Sequence, residues 1–418
     1  MAGDYSGLVR SIAVFITLLA VPCGWAGGFL PDGSFSKEAT GTTAAAFIKD
    51  PYGAVYAALG SAGSAYRSPY SVFFNPAGLT GDKVSALRNR RQTREEKFEV
   101  DAQTVPEGVI AYNLQELRKH RKERNKKRQV ESDDGVLLLE AAPAPSAQGN
   151  TVGSALGASY DSMFETYSRS ALTCSMPVGA GVVAASLLYA SQDALDGFST
   201  RGDYTGSFNA YDSAAGLSYA RTIKLRRGEF DAGITFKYIT SRIENAEAST
   251  IAADIGILTR DFVDQGGLIR DFAVTVRNLG LPMKMDTVAE PLPLELSAGV
   301  MLDAGQGWYG YIDGKFPCDY SPYVAVGLEW KPVRRKTCDV DFALRAGFNM
   351  KRSHELGGLG GWSAGAGLGF GGLVMDYAWV PMNDLGSTNR FSLTWRWGGP
   401  ASGGRSGVTA EPEVVGFM

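Results

Sequence analysis

Apolar and polar residues alternate one by one from about residue 153 to residue 398. From Phe230 to Tyr238, for example, every second residue is apolar, and the positions between them include Asp231 and Lys237. A period of two places successive side chains on opposite faces of a β-strand. Each such segment therefore predicts a strand with one apolar face and one polar face.

The number and length of these segments indicate the fold class. Strands are expected to begin near residues 153, 167, 179, 209, 228, 249, 267, 292, 306, 321, 338, 360, 371 and 389, and most are 9 to 13 residues long. Strands in globular proteins are usually about 5 to 6 residues long. A tilted strand that crosses a bilayer needs about 9 to 11 residues. The strand length therefore favours a membrane barrel.

A soluble β-sandwich is the alternative, because it would hide its apolar faces in a core and show the same alternation. The membrane barrel is favoured by the strand length, by an export signal at the N-terminus and by aromatic residues near strand ends. These aromatic residues are Tyr238, Trp330, Tyr377, Trp379, Trp395 and Trp397. We predict an all-β fold in which residues 151–398 form a transmembrane antiparallel β-barrel of about 14 strands.

In a barrel of this kind the polar face of each strand lines the interior. The candidate lumen-facing residues with charged side chains are Lys237, Arg277, Glu295, Glu329, Arg345 and Asp376. Both signs occur in equal numbers, which favours ion pairs across a packed or plugged interior over a strongly ion-selective pore.

The N-terminus has the layout of a secretory signal peptide. Arg10 precedes an apolar run at residues 11–21, and small residues follow up to Ala26. We predict a signal peptide over residues 1–26 that is cleaved during export. Cys23 leaves a lipoprotein as the alternative interpretation.

Residues 27–82 are rich in Gly, Ala and Ser and contain no long alternating run, which suggests an N-terminal hatch or plug inside the barrel. Residues 83–150 are expected to form a charged, partly helical insertion or loop. Within it, residues 83–128 hold 14 Lys or Arg against 7 Asp or Glu, a net charge of 14 − 7 = +7. Residues 399–418 are rich in Gly and Pro and predict a flexible tail.

The basic segment at residues 116–130 could bind anionic lipid head groups, lipopolysaccharide or nucleic acid, or it could be a solvated loop. No aromatic residues interleave with its charges as a nucleic-acid platform would need, so no nucleic-acid partner is expected.

Composition excludes other classes of protein. The formal net charge is −3 and 44% of residues are hydrophobic, which argues against disorder. Apart from the N-terminal run there is no stretch of about 20 apolar residues, so a helical transporter is excluded. Cys174, Cys318 and Cys338 remain after signal cleavage, an odd number that predicts free thiols. With only two His residues, neither a metal site, a cofactor nor a Ser-His-Asp triad is expected, and the chain is predicted not to be an enzyme.

Several motifs carry a resemblance to a known family. Phe74 to Leu79 (FNPAGL) resembles the NPA motif in the hatch of FadL-type outer-membrane transporters, and is more similar to the PorV/PorQ-like branch of that superfamily. Further similarities lie at residues 253–256 (ADIG), 276–280 (VRNLG), 291–294 (PLPL) and 375–397, which resembles the family's last hairpin.

The resemblance implies a 14-stranded outer-membrane barrel with a hatch in its lumen, in which Asn75, Pro76 and Ala77 form the gating turn. A loop that only fills the barrel is the alternative interpretation of this motif. Members of the FadL type pass hydrophobic molecules inward by diffusion, and some PorV-like members instead shuttle secreted cargo.

The expected function is passive uptake of long-chain fatty acids or other hydrophobic molecules across the outer membrane. The alternative is a secretion or surface-interaction protein that binds a protein partner. In either case the expected partners include outer-membrane lipid and the barrel-assembly machinery.

Overall fold

The computed structural model describes residues 30–50, 52–81, 153–163, 166–225, 228–260, 268–285, 287–332 and 340–398. The predicted signal peptide, the charged insertion and the C-terminal tail lie outside these residues, as does Cys338.

Fourteen antiparallel strands form a closed barrel, as the alternation predicted, and β1 pairs with β16 to close it. The strands are β1 (Ser154–Ser162), β2 (Tyr167–Val178), β3 (Gly181–Phe198), β4 (Tyr204–Leu225), β5 (Gly228–Ile243), β6 (Ala246–Arg260), β7 (Ile269–Gly280), β8 (Met283–Lys284), β9 (Ala289–Glu290), β10 (Glu295–Gly305), β11 (Trp308–Pro317), β12 (Tyr323–Trp330), β13 (Val340–Asn349), β14 (Trp362–Phe370), β15 (Leu373–Pro381) and β16 (Ser387–Trp397). The short strands β8 and β9 form a separate hairpin between β7 and β10.

The two faces of the wall differ as the sequence pattern requires. In β5, Asp231 and Thr235 are buried on the inner face, whereas Phe236 and Tyr238 are 61% and 54% exposed on the outer face. Large apolar side chains are exposed in the same way around the barrel. Soluble proteins rarely expose contiguous apolar surface of this extent, and a bilayer is the solvent that matches it. The barrel is therefore a transmembrane barrel.

The two ends of the barrel are built differently. At one end, here called the turn end, two residues each join β2 to β3, β10 to β11 and β14 to β15, and both β1 and β16 have their free ends there. Aromatic pairs lie at this end: the ring centroids of Trp308 and Trp330 are 5.9 Å apart, and those of Trp395 and Trp397 are 4.9 Å apart. The turn end also carries connections of eight and nine residues, between β6 and β7 and between β12 and β13. At the opposite end, the loop end, two residues join β5 to β6, but the other connections have four or more residues and include the helix Met350–Leu356.

Strands β3 to β6 are longer than a membrane requires. They contain 18, 22, 16 and 15 residues, whereas about 9 to 11 tilted residues cross a bilayer. The pairing of β3 with β2 ends at Gln192, whereas β3 and β4 go on pairing with each other as far as Phe198 and Tyr204, so their surplus extends at the loop end. There β3 and β4 end in a two-stranded ribbon whose tip exposes Phe198 and Tyr204.

The N-terminal segment, residues 30–50 and 52–81, lies among the inner faces of the strands. Its elements are the helix Ala54–Ala58 and the 3₁₀ turns Lys37–Ala39, Ala46–Ile48, Pro69–Phe73 and Pro76–Thr80. The helix packs against β13 to β16, and the last turn packs against β3 to β6 on the other side. Because the segment meets strands from both sides of the barrel, it lies inside the barrel.

Local sequence explains one of these turns. The Ser68 hydroxyl accepts a hydrogen bond from the Tyr70 backbone N–H, and the Ser71 hydroxyl accepts one from the Ser68 N–H. Pro69 occupies the first position, where a missing N–H costs nothing. Ser68 and Ser71 thus form a capping box that begins the turn.

The strand expected from residue 292 begins instead at Glu295. Leu292 is an apolar position of the alternating pattern, which would place it on the outer face, but it is 2% exposed. Pro291 and Pro293 have no N–H to donate to a strand ladder, which delays the start of the strand. The Cys318 N–H donates to the Leu294 carbonyl at 2.8 Å and marks the beginning of regular pairing.

Within the described residues, no helix has both the length and the apolar character needed to cross a membrane.

The outer face gives a direct test of the membrane assignment. Ile234 points outward between the buried residues Gly233 and Thr235, about six residues from the turn end of β5. We expect Ile234→Arg to reduce barrel insertion by roughly 2 to 4 kcal/mol, the cost of Arg near the bilayer midplane. Folding into vesicles, followed by heat-modifiable gel migration, measures this loss. The control Glu247→Arg, at an exposed loop-end position, should fold normally; equal folding of both variants would contradict a lipid-facing wall.

Candidate functional site

The N-terminal segment meets the wall through backbone contacts that leave no space for side chains. An added Cβ on Gly60 would come within 2.6 Å of the Phe348 backbone nitrogen, and one on Gly347 within 2.0 Å of the Gly60 nitrogen. The Asn349 side-chain amide donates to the Gly60 carbonyl at 3.0 Å. Glycine on both sides thus allows close approach of segment and strand.

One inward-facing carboxylate of the wall, that of Asp313, binds the middle of the N-terminal segment. Asp313 of β11 is fully buried and accepts from the backbone N–H groups of Gly63 and Ser64, both at 2.9 Å. The Ser64 hydroxyl donates to the same oxygen at 2.7 Å. A buried carboxylate without such donors is costly, so Asp313 and the segment stabilise each other.

A second polar contact between the N-terminal segment and the wall lies toward the turn end. Arg67 of the segment forms an ion pair with Asp231 of β5, and its Nη2 donates to the Thr259 carbonyl at 2.8 Å. Arg260 of β6 donates to Asp231 at 2.9 Å and to the Thr80 hydroxyl at 2.8 Å. One carboxylate of the wall is therefore shared by a cation of the wall and a cation of the segment.

Tyr70 contacts the seam where the barrel closes. Its hydroxyl lies 2.7 Å from the Ala158 carbonyl of β1 and 2.9 Å from the Leu393 carbonyl of β16. Ala158 and Leu393 are register partners in the closing strand pair. Burial raises the pKa of the Tyr70 hydroxyl to about 12, so it remains a donor across the physiological range.

The predicted hatch residues form a fully buried turn against the wall. The Asn75 side chain donates to the Ser64 carbonyl at 2.6 Å, and its oxygen accepts from the Ala77 N–H at 3.1 Å. Pro76 and Ala77 lie in the 3₁₀ turn that follows. An added Cβ on Gly256 would come within 2.0 Å of the Asn75 side-chain oxygen, so the turn fits the wall only where the wall has glycine. Local sequence predicts the turn, but not this contact.

Two of the predicted lumen-facing residues, Arg277 and Glu295, are paired on neighbouring strands at 3.0 Å. Lys315 also contacts Glu295, at 3.3 Å. Arg277 in addition donates to the carbonyls of Phe73 and Lys49, at 3.2 Å and 2.9 Å. This group therefore links the wall to two places in the N-terminal segment.

Three more of these residues form one network. Arg345 donates to Glu329 and to Asp376, at 2.7 Å each. Glu329 also pairs with Lys331 at 2.8 Å, and its carboxylate accepts from the Tyr66 hydroxyl of the segment at 3.4 Å. The network joins three strands, and the Tyr66 hydroxyl connects it to the N-terminal segment.

Lys237 stands at a bulge in the wall. Its ammonium pairs with Asp254 at 2.7 Å and contacts the Asn278 side chain, and the Asn278 N–H donates to Asp254 at 2.7 Å. The register between β6 and β7 shifts here, and Asn278 has a φ of +59°, a conformation that Asn tolerates better than most residues. The bulge bends the wall locally.

Beside this bulge lies an open apolar cavity of about 970 Å³, lined mainly by outward-facing residues of β1 to β7 and by Leu281. Its lining includes outward-facing Leu217, Phe236 and Ile251 and inward-facing Ser186 and Lys237. The cavity therefore lies mainly on the outer face of the wall, and a few inward-facing positions contribute to its lining. Small residues, Ala185, Ala215 and Ala253 among them, make room for it.

The sequence prediction missed other inward charges that the structure brings to the site: Asp161, Arg169, Asp313 and Arg390. Asp313 could have been found, because it has the same strand parity as Tyr311 and Lys315 in an alternating segment. Nothing in the sequence indicated that the segment's Arg67 would share Asp231 with Arg260, because that contact depends on how the segment folds back inside the barrel. Among the described residues, no group of three His, Cys, Asp or Glu side chains could hold a metal ion.

Comparison with known proteins gives distant structural likenesses. No protein-family model and no curated protein matches the sequence. The alignment with the toluene transporter TodX of P. putida covers 83% of this chain and 98% of the TodX chain, at 9% identity and with a TM-score of 0.44. The alignment with the CymD monoaromatic hydrocarbon channel covers 59% of this chain and 89% of the CymD chain, at 10% identity and with a TM-score of 0.37.

CdiB from Acinetobacter baumannii aligns at 11% identity with a TM-score of 0.35, and the alignment covers 60% of each chain. This chain therefore spans about three fifths of the length of CdiB. Two of these structural neighbours are a hydrocarbon transporter and a hydrocarbon channel by name, but likenesses this distant assign no function to this chain.

The seam contact of Tyr70 leads to a stability prediction. Tyr70→Phe removes one hydroxyl from the closing strand pair and should lower the free energy of unfolding by about 1 kcal/mol, the usual net value of one hydrogen bond. The temperature at which the compact gel band is lost measures this change. Tyr219→Phe, which alters an outward-facing ring, is the matched control. A Tyr70→Phe barrel as heat-stable as this control would show that the seam does not depend on the contact.

Proposed function

We propose that this protein is an outer-membrane channel for passive uptake of long-chain fatty acids or other hydrophobic molecules. The observation that carries the proposal is the apolar cavity beside the bulge at Asp254 and Asn278. Its lining is apolar and mainly outward-facing, and inward-facing Ser186 and Lys237 contribute to it. A hydrophobic molecule could occupy it without leaving polar groups unpaired.

The packing of the interior supports the same function. The N-terminal segment is buried among inward charges that it helps to neutralise, so it occupies space that an open porin leaves to water. Water-soluble molecules would have to break several buried ion pairs to pass. Hydrophobic molecules could instead use the apolar part of the wall.

The orientation follows by analogy with outer-membrane barrels, in which short turns face the periplasm and long loops face outward. On that basis the turn end faces the periplasm and the loop end faces the exterior. The chain would reach this membrane through the predicted signal peptide and the barrel-assembly machinery, and outer-membrane lipid would surround its apolar band.

The alternative, a surface-interaction protein, is supported by the ribbon of β3 and β4. A two-stranded ribbon is at best marginally stable alone, and the exposed Phe198 and Tyr204 rings at its tip would suit a protein partner. This alternative does not account for the apolar cavity in the wall.

Binding of a long-chain fatty acid to purified protein tests the function. Ala215 lies in the cavity lining, whereas Ala346 faces outward on β13, away from the cavity. We expect saturable binding to the unaltered protein, a loss of at least fivefold in affinity for Ala215→Trp, and no change for Ala346→Trp. Titration with a fluorescent fatty acid in mild detergent measures the affinities. Absence of saturable binding in the unaltered protein would favour the surface-interaction role.

We also propose that Asn75, Pro76 and Ala77 act as the gating turn of a hatch. Asn75→Ala removes two buried hydrogen bonds and should loosen the turn by about 1 to 3 kcal/mol. Faster fatty-acid uptake by cells that produce this variant, with unchanged barrel folding, is the expected result. Unfolding of the whole barrel would instead indicate a filling loop with a purely structural role.

A further inference from the structure

One charged side chain stands on the lipid-facing side of the wall. Arg221 of β4 is exposed and lies between Ala220 and Thr222, which both face the interior, so alternation directs it outward. Among the described strands, the other exposed charges at outward-facing positions, such as Arg242 and Glu247, lie in the loop-end parts of β3 to β6. Arg221 is thus an exception in the apolar band.

Arg221 lies at the level of the turn end. Its register partners are Gly181, the first residue of β3, and Ala232 of β5. The ring of Tyr219, the preceding outward-facing residue, covers Gly181: an added Cβ there would lie 2.6 Å from a ring carbon and 2.7 Å from the hydroxyl oxygen. Tyr is typical of the membrane interface, and long cationic side chains extend toward it. Arg221 is therefore placed to reach the head groups of the bilayer.

The protein supplies no counter-ion for Arg221. Within the part of the chain that the structure describes, its guanidinium forms no ion pair and no hydrogen bond. Ile223 and Phe230, next to it on the outer face, are apolar. Asp231 faces the interior, where it pairs with Arg67. An exposed guanidinium offers five N–H donors that match phosphate oxygens, so charge complementarity points to an anionic group from the membrane.

The apolar cavity lies deeper in the same outer face. Leu217 of β4 lines the cavity and faces outward as Arg221 does. The four residues from Leu217 to Arg221 span about 13 Å of strand. Ala185 of β3, the register partner of Leu217, is one of the small residues that make room for the cavity. A cation at the interface and an apolar cavity below it match the two parts of a phospholipid, its phosphate and its acyl chain.

We propose that Arg221 and the apolar cavity form a binding site for a phospholipid of the surrounding leaflet. The phosphodiester pairs with the guanidinium, and one acyl chain lies in the cavity. The bilayer supplies this molecule at high local concentration, because it surrounds the barrel. The inference does not depend on the uptake function, although both use the cavity: a hydrophobic molecule that enters it would displace the acyl chain.

The test compares two lipids that share their acyl chains. Dioleoyl phosphatidylglycerol carries a phosphodiester, whereas dioleoylglycerol has the same chains without phosphate. Native mass spectrometry of the full-length protein in mild detergent counts bound lipid and measures affinity. We expect the unaltered protein to bind phosphatidylglycerol about fivefold or more tightly than dioleoylglycerol. Glycerol 3-phosphate, a head group without chains, should not bind at the same concentrations.

Two variants separate the parts of the site. Arg221→Gln should weaken phosphatidylglycerol binding about five- to tenfold and leave dioleoylglycerol binding unchanged, because only the phosphate contact is lost. Ala185→Trp should weaken binding of both lipids, because the indole fills the cavity. The control Lys224→Gln removes an exposed cation of the same strand, which pairs with Glu229, and should change neither affinity. A compact, heat-modifiable gel band verifies that each variant is folded.

Several results would overturn the site. Equal binding of phosphatidylglycerol by the unaltered protein and Arg221→Gln would remove the phosphate contact, as would equal affinities for the two lipids. Unchanged lipid binding by Ala185→Trp would place the acyl chain outside the cavity. Saturable binding of glycerol 3-phosphate, or retention of lipid A in place of phospholipid by protein purified from the outer membrane, would overturn the ligand class.

Fatty-acid titration of the same variants distinguishes this proposal from the uptake function. We expect Arg221→Gln to bind a long-chain fatty acid as the unaltered protein does. Equal losses of fatty acid and phosphatidylglycerol in this variant would assign Arg221 to the transported molecule and overturn the phospholipid site. Phosphatidylglycerol binding that depends on Arg221, in a protein without saturable fatty-acid binding, would support the site and overturn the uptake function alone.

Discussion

The structure depends on the neutralisation of charges that point into the barrel. Alternation forces every second side chain inward, and many of these are Asp, Glu, Lys or Arg. In a confined interior each such charge needs a partner, because an unpaired buried charge is costly. Pairs between strands satisfy some of them, as Arg345 does with Glu329 and Asp376. Others, including Asp313, obtain their donors from the N-terminal segment.

The same constraint fixes the position of the segment. Donors and acceptors of the wall contact it at Gly63, Arg67, Phe73 and Thr80, so sliding the segment along the barrel would break several buried contacts together. Glycines of the wall allow the close approach that these contacts require. The polar interior is consequently filled, and the apolar cavity in the wall becomes the part of the structure suited to a hydrophobic molecule.

The sequence predicts the strands well because strand geometry imposes a period of two. Each strand has one face against lipid and one against the polar interior, so apolar and polar residues alternate. The prediction of the strand start is wrong at Leu292. There two prolines interrupt the hydrogen-bond ladder although the apolar alternation continues. The sequence also identifies inward charges such as Glu329 and Arg345, but it does not identify their partners. Partners depend on the register between strands, as for Asp161 and Arg390, and on how the N-terminal segment folds back, as for Arg67 and Asp231. The cavity was not predicted, because it depends on small residues from several strands and on the bulge at Asn278.

The central claim is that the N-terminal segment occupies the polar interior and closes it to ions. Ion conductance of the purified full-length protein in a planar lipid bilayer tests this claim most directly. The filled interior predicts no sustained ionic current from the inserted protein, and a large, stable current after deletion of residues 30–81. A large and stable current through the full-length protein would show an open aqueous pore and would contradict the account.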